Sequence, residues 1–265
     1  MSDRRPIGIF DSGIGGLTVL RELRVRLPRE RFVYLGDTAR LPYGTKSAET
    51  VTRYALRASR FLSGHDIKLL VIACNTASAA ALPALERALP VPVIGVVAPG
   101  ARAAARGTRG RVGVIGTEST VASGAYHRAL HSLRPGLEVV ALPCPLFVPL
   151  AEEGWFDHPI TREVARIYLA PMAAAGVDTL ILGCTHYPLL RDAIAAGVGA
   201  DVALIDSAAS VAAEVADLLA AHDLGSDDGG SLSVLVTDAA ARVQRIAELI
   251  LQEHHTSLEL VDLPD

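Results

Sequence analysis

Short runs of β-branched and other apolar residues alternate with helical patterns from end to end of this 265-residue chain. That alternation is what parallel sheets flanked by helices require. Strands are predicted at Ile7–Phe10, Phe32–Leu35, Leu69–Ala73, Val93–Val97, Val112–Ile115, Glu138–Ala141, Thr179–Leu182, Ala203–Ile205, Ser233–Val236 and Leu258–Val261. Most are almost wholly apolar, so both faces are expected to be covered. Between them, Leu17, Leu20, Leu23 and Leu27 fall at helical spacing before Pro28, and Val51, Ala55, Ala58 and Leu62 do so before Gly64. Half of the residues are hydrophobic, a fifth are charged and the net charge is −4, which excludes a disordered chain and an electrostatic nucleic-acid binder. The length suits one large or two small domains. The low-complexity stretch Gly225-Ser-Asp-Asp-Gly-Gly230 reads as a flexible loop, too short for an interdomain tether.

A faint internal repeat narrows the choice. Val71-Ile-Ala-Cys-Asn-Thr76 resembles Ile181-Leu-Gly-Cys-Thr-His186, and Gly8-Ile-Phe-Asp-Ser12 sits about as far before Gly113-Val-Ile-Gly-Thr117. Each half therefore carries one strand ending in a small polar cluster and a later strand ending in cysteine with hydroxyl or amide groups. In open parallel sheets the site lies at the carboxyl ends of strands, where all four clusters fall. Two such edges facing each other would make a cleft between two α/β units.

A single cysteine at a strand end is most often a small core hydrophobe, and Cys144, between two prolines, keeps that reading. Cys74 and Cys184 differ: Asn75 and Thr76 follow one, Thr185 and His186 the other. An ordinary thiol titrates near ~8.5, close enough to neutrality to take or give a proton. With a substrate carbon between two thiols, one removes its proton and the other delivers a proton from the opposite face, which inverts that carbon. His186 beside Cys184, and a helix N-terminus after each cysteine, would favour a reactive thiolate. Asp11 suits a substrate ammonium, or assistance to Cys74.

Other chemistries fit less well. The cysteines and His186 lack metal-ligand spacing, so no metal is expected. Asp11-Ser-Gly-Ile-Gly-Gly16 lacks the dinucleotide-loop spacing and reads as a tight turn whose amides and Ser12 hydroxyl can meet a carboxylate. Pyridoxal needs a Schiff-base lysine, and the only lysines, Lys46 and Lys68, sit at no polar strand end. No cofactor is expected. A two-lobed binding protein would not need opposed thiols, and a thiol hydrolase would leave the second cysteine unexplained. Asn75 and Thr76 also read as caps of a helix starting near Ala77, and Tyr43 and Gly44 as an ordinary turn. The apolar stretches are too interrupted to span a bilayer, and the N-terminus lacks a signal-peptide core; no membrane association and a cytoplasmic location are expected.

The motifs Phe10-Asp-Ser-Gly-Ile-Gly-Gly-Leu17, Leu41-Pro-Tyr-Gly44, Ala73-Cys-Asn-Thr-Ala-Ser78, Gly116-Thr117 with Thr120-Val and Ser123-Gly, Leu150-Ala-Glu152 and Gly183-Cys-Thr-His-Tyr-Pro-Leu-Leu190 occur in order. With them, the chain from Pro6 to about Leu219 resembles the aspartate/glutamate racemase superfamily, and within it the cofactor-independent glutamate racemases that supply D-glutamate for peptidoglycan. The resemblance implies an α/β fold of two similar flavodoxin-like, doubly wound parallel-sheet domains with the active site in the cleft: residues 1–97 plus 207–265, and residues 98–206. It also implies a homodimer. By similarity Cys74 is the base acting on D-glutamate and Cys184 the base acting on L-glutamate, with Asp11, Glu152 and His186 assisting. Glu152 is preferred to its neighbour Glu153 by its offset from Pro149-Leu150. The same similarity implies substrate contacts at Asp11, Ser12, Tyr43, Gly44, Asn75, Thr76, Thr117, Thr120, Thr185 and His186. An aspartate or other amino-acid racemase is the nearest alternative.

Overall fold

The computed structural model describes residues 3–227, 229–238, 241–253 and 257–263; Asp228 of the predicted glycine-rich loop lies outside them. Ten strands are described, each overlapping a predicted one: β1 Ile7–Asp11, β2 Arg31–Gly36, β3 Leu69–Ile72, β4 Val93–Gly95, β5 Arg111–Gly116, β6 Glu138–Pro143, β7 Thr179–Gly183, β8 Ala203–Ile205, β9 Ser231–Val236 and β10 Leu258–Leu260. They form two sheets, one of six strands in the order β10-β9-β2-β1-β3-β4 and one of four in the order β6-β5-β7-β8. Every pairing is parallel. The second sheet repeats the β2-β1-β3-β4 core of the first, strand for strand. This is the beginning of the flavodoxin-like order. In the first sheet the added strands β9 and β10 extend the edge beyond β2, away from β4.

Alternation along the strands divides the core into layers. In β1, Ile7 and Ile9 pack in one apolar cluster and Phe10 in another, because successive side chains point to opposite faces. The first cluster draws on the helices Leu17–Arg26, Ala208–Ala221 and Ala241–Leu251; the second on Ala48–Ser63 and Asn75–Ala88. The predicted stripe of Val51, Ala55, Ala58 and Leu62 is buried, and that helix starts at Ser47, whose side chain accepts a hydrogen bond from the Thr50 amide. The four-stranded sheet is sandwiched likewise. Ile115, Leu180 and Leu182 pack with the helices Pro159–Ala174 and Arg191–Val198, while Val112, Val114 and Ile181 face Val97–Gly107 and Ala125–Leu133. Among the described residues, no helix is long and apolar enough to cross a membrane.

The parallel register sets where the strands release the chain. Asp11 is level with Gly36 at the end of the β1–β2 ladder, and Gly116 with Gly183 at the end of the β5–β7 ladder. The residues after β1, β3, β5 and β7 leave their sheets at the carboxyl edges, and the two edges meet.

Candidate active site

Cys74 follows β3 after one intervening residue, Ala73, and caps the helix Asn75–Ala88: the Ala77 amide donates to its sulfur at 3.4 Å. Asn75 and Thr76 therefore lie in the first turn of that helix, not before it, because the Cys74 sulfur itself serves as the cap. The Cys74 thiol also reaches Ser12 Oγ at 3.4 Å, which ties it to the turn after β1. Burial, and then the charge of Asp11, push the Cys74 thiol up to about 12 against the helping bonds from Ser12 and Ala77. It is a protonated thiol at neutral pH.

Cys184 occupies the matching place after β7. Its sulfur is 3.8 Å from His186 Nδ1, and the other ring nitrogen, Nε2, lies 3.4 Å from Glu152 Oε1, at ion-pair distance without hydrogen-bond alignment. Burial alone would lower the His186 pKa; the Cys184 sulfur at Nδ1 and the nearby charge of Glu152 outweigh it and raise it to about 10. An imidazolium thus stands between the second sulfur and a carboxylate.

Both cysteines line one cavity, together with Ser12, Tyr43, Gly44, Asn75, Thr76, Thr117, Glu152, Thr185 and His186. Two residues of the predicted set do not. Asp11 is wholly buried beneath the glycine turn; its Oδ2 accepts from the Gly13 amide at 3.0 Å, while Oδ1 has no hydrogen-bond partner. Burial raises its pKa, and the charge of His186 opposes the rise. From there Asp11 acts on the cavity through its field. Thr120 lies behind the wall, where its hydroxyl closes a triangle with those of Thr76, at 3.1 Å, and Thr117, at 3.0 Å. The third side, Thr76 to Thr117, is 2.9 Å and joins the two domains.

Other contacts also fasten domain to domain around the cavity. The Tyr126 hydroxyl donates to Asn75 Oδ1 at 2.6 Å. Thr18 Oγ1 donates to the Thr185 carbonyl at 3.3 Å. Gly15 packs so tightly against the loop after β7 that a Cβ built on it would sit 2.5 Å from Thr185 Oγ1 and 2.7 Å from His186 Nδ1. Glu152, and not Glu153, lines the cavity. Cys144 is buried in the second domain, its pKa pushed up by burial to about 12, and faces the Leu142 carbonyl. Among the described residues, no three His, Cys, Asp or Glu converge to hold a metal.

Asp37 has no counterpart in the sequence reading. Fully buried at the end of β2, it accepts from the Tyr43 hydroxyl at 2.7 Å, Arg40 Nη1 at 2.8 Å and Thr237 Oγ1 at 2.9 Å. The Tyr43 hydroxyl thereby donates to the scaffold, and Asp37 ties the Tyr43-Gly44 turn to Thr237, the residue after β9. A lone aspartate after a strand gives no pattern that would have marked it.

Two similar parallel-sheet domains presenting one thiol each to a shared cavity define a class: isomerases of the racemase type. The chain belongs to the Asp/Glu/Hydantoin racemase family, whose profile matches residues 18–215. It is 54% identical over 250 residues to a glutamate racemase of Geobacter metallireducens, a match covering 93% of each chain. Its structure superposes on a glutamate racemase isoform of Bacillus anthracis with a TM-score of 0.95, at 41% identity and 99% coverage of both chains. For the Francisella tularensis glutamate racemase in complex with D-glutamate, the TM-score is 0.93 at 39% identity, with 98% of each chain covered.

Proposed function

We propose that this protein interconverts L- and D-glutamate by two-base proton transfer at the α-carbon, without metal or pyridoxal. The observation that carries the reading is the convergence of Cys74 and Cys184 from opposite domains on one cavity. In the L-to-D direction the α-proton passes to the Cys184 sulfur, supported by the His186–Glu152 pair, and the Cys74 thiol supplies a proton to the other face. One S–H bond forms as the other breaks, and exchange with solvent, in which Cys184 gives up its proton and Cys74 takes one back, restores the starting state for the next L-to-D turnover. Cys74, protonated at neutral pH, is already set to donate. The hydroxyls and amides of Ser12, Asn75, Thr76, Thr117 and Thr185 receive the carboxylates, with Gly44 at the far end for the distal one. Thr120 supports this set through its hydroxyl triangle. Asp11, His186 and Glu152 tune the charge around the sulfurs. A cytoplasmic homodimer delivering D-glutamate to peptidoglycan synthesis completes the proposal.

The test is turnover of L-glutamate by purified protein, without added cofactor and after exhaustive chelation, in deuterium oxide. D-glutamate should carry solvent deuterium at the α-carbon from its first appearance, while the remaining L-glutamate stays largely protiated early on. Activity lost on chelation and restored by a divalent ion, or return of the original proton to the product, refutes the proposed mechanism.

A further inference from the structure

The cavity holding the two sulfurs is nearly shut: only about 30 Å³ is open to the centre of a water molecule. Beside it lies a far larger groove, of about 620 Å³, and Gly44 borders both. The wall between them is an interdomain contact, for a Cβ on Gly44 would lie 2.5 Å from Thr117 Cβ. The outer side of that wall carries two charges, Lys46 two residues past Gly44 and Glu118 one residue past Thr117, one from each domain. Neither enters an ion pair or side-chain hydrogen bond among the described residues. Lys46 contrasts with the chain's other lysine, Lys68, which is fully buried against Glu30 at 2.7 Å. Ser47, which caps the 16-residue helix Ala48–Ser63, adds the positive end of that helix on the side of Lys46. Ser119 adds a hydroxyl on the side of Glu118.

A cation and an anion lining one groove, one from each domain, match a zwitterionic head group. We infer that this groove is an outer binding site for the free amino acid, in which Lys46 takes a carboxylate and Glu118 the ammonium before the Gly44–Thr117 wall parts. The inference rests on the glutamate reading for its ligand. It assigns to Lys46 and Glu118 no part in the proton transfers. The substrate carries one more negative than positive charge, so the helix end beside Lys46 suits its second carboxylate. Because the site straddles the two domains, its occupant is in place whenever they separate.

The scarcity of lysine makes the site directly readable. Reductive ¹³C-methylation keeps the ammonium charge, and with Lys68 sealed in its ion pair, Lys46 gives the one accessible lysine side-chain signal. Titration of the full-length protein with L-glutamate should move that signal with a millimolar midpoint. Glutarate, which lacks the ammonium, should move it only at several-fold higher concentration, and Glu118→Gln should erase the preference. In unmethylated protein, Lys46→Gln and Glu118→Gln should leave kcat within about twofold of the parent, since both groups lie outside the reaction cavity. An unmoved Lys46 signal at glutamate concentrations that saturate turnover overturns the inference, as does equal response to glutarate and glutamate. An unmodified protein that fails to racemise glutamate refutes the functional reading instead, and the titration, which needs no turnover, still decides the groove.

Discussion

Replacing Gly15 by alanine should disable the enzyme without touching a reacting group. The new Cβ would lie 2.5 Å from Thr185 Oγ1 and 2.7 Å from His186 Nδ1, where non-bonded atoms ordinarily keep about 3.5 Å. Relief therefore requires a shift of about 1 Å. The loop after β7 can yield as a whole, which carries Cys184 away from Cys74; or the His186 ring can turn, which takes Nδ1 from the Cys184 sulfur and Nε2 from Glu152. Either movement spoils the alignment of donor, carbon and acceptor. A misplacement of this size costs on the order of a hundredfold in rate, or about 2.7 kcal/mol of barrier. The control is Gly107→Ala at the end of the helix Val97–Gly107, where an added Cβ meets nothing within 4 Å. Chiral chromatography of glutamate gives kcat/KM for both variants, and thermal melts show that both are folded. A folded Gly15→Ala protein within twofold of the parent would refute the claim that this interdomain contact holds the second thiol in place.

The paired-thiol scheme makes Cys74→Ala and Cys184→Ala each lose racemisation by at least about a thousandfold, whereas Cys144→Ala, outside the cavity, retains it; near-normal turnover by either of the first two ends the scheme. His186 titrates at about 10 in the folded protein against an ordinary 6.5, so its stabilising contribution is complete below about pH 6.5 and is lost as pH rises towards 10. The difference in melting temperature between the parent and His186→Asn should shrink over that interval, and a constant difference contradicts the Cys184–His186–Glu152 chain. In aspartate the distal carboxylate is one methylene short of the turn at Gly44 while the α-carbon stays between the sulfurs. Glutamate should therefore be preferred by about a hundredfold or more in kcat/KM, and comparable values for the two would transfer the protein to aspartate chemistry.

The strands were legible because each is a local apolar run, and the polar cluster closing four of them marked the edge where a site must lie. Their neighbours within a sheet were not: nothing in Ser231–Val236 says that it pairs with β2, since order across a sheet is settled by packing between distant segments. The cysteines stood out because they recur in matching contexts. The positions of their helpers depended on geometry that a linear motif does not hold. Asp11 belongs to the same motif as Ser12, yet only Ser12 reaches the cavity, because β1 turns the aspartate under the glycine loop. Tyr43 lines the cavity as the motif implied, but that Asp37 accepts from its hydroxyl is written nowhere in the linear sequence. The start of the helix after β3 moved for a similar reason, a sulfur serving as cap where oxygen side chains were the expected ones.

The pairing of β2 with β9 sets an order of events during synthesis. Arg31 is level with Ser231, two hundred residues later in the chain, and every strand of the four-stranded sheet lies between them. On a ribosome the second domain's strands can all emerge and pair while the first domain still lacks its outer strands. Until then β2 presents an unpaired, apolar edge, the kind of template on which neighbouring nascent chains associate. The interval is long at ordinary elongation rates, about 10 to 40 s for two hundred residues. The yield of soluble protein should thus be limited by the rate at which Ser231–Val236 arrives to cover that edge, and a fragment ending before Ser231 should aggregate even though both cysteines and all of the cavity's lining are present in it.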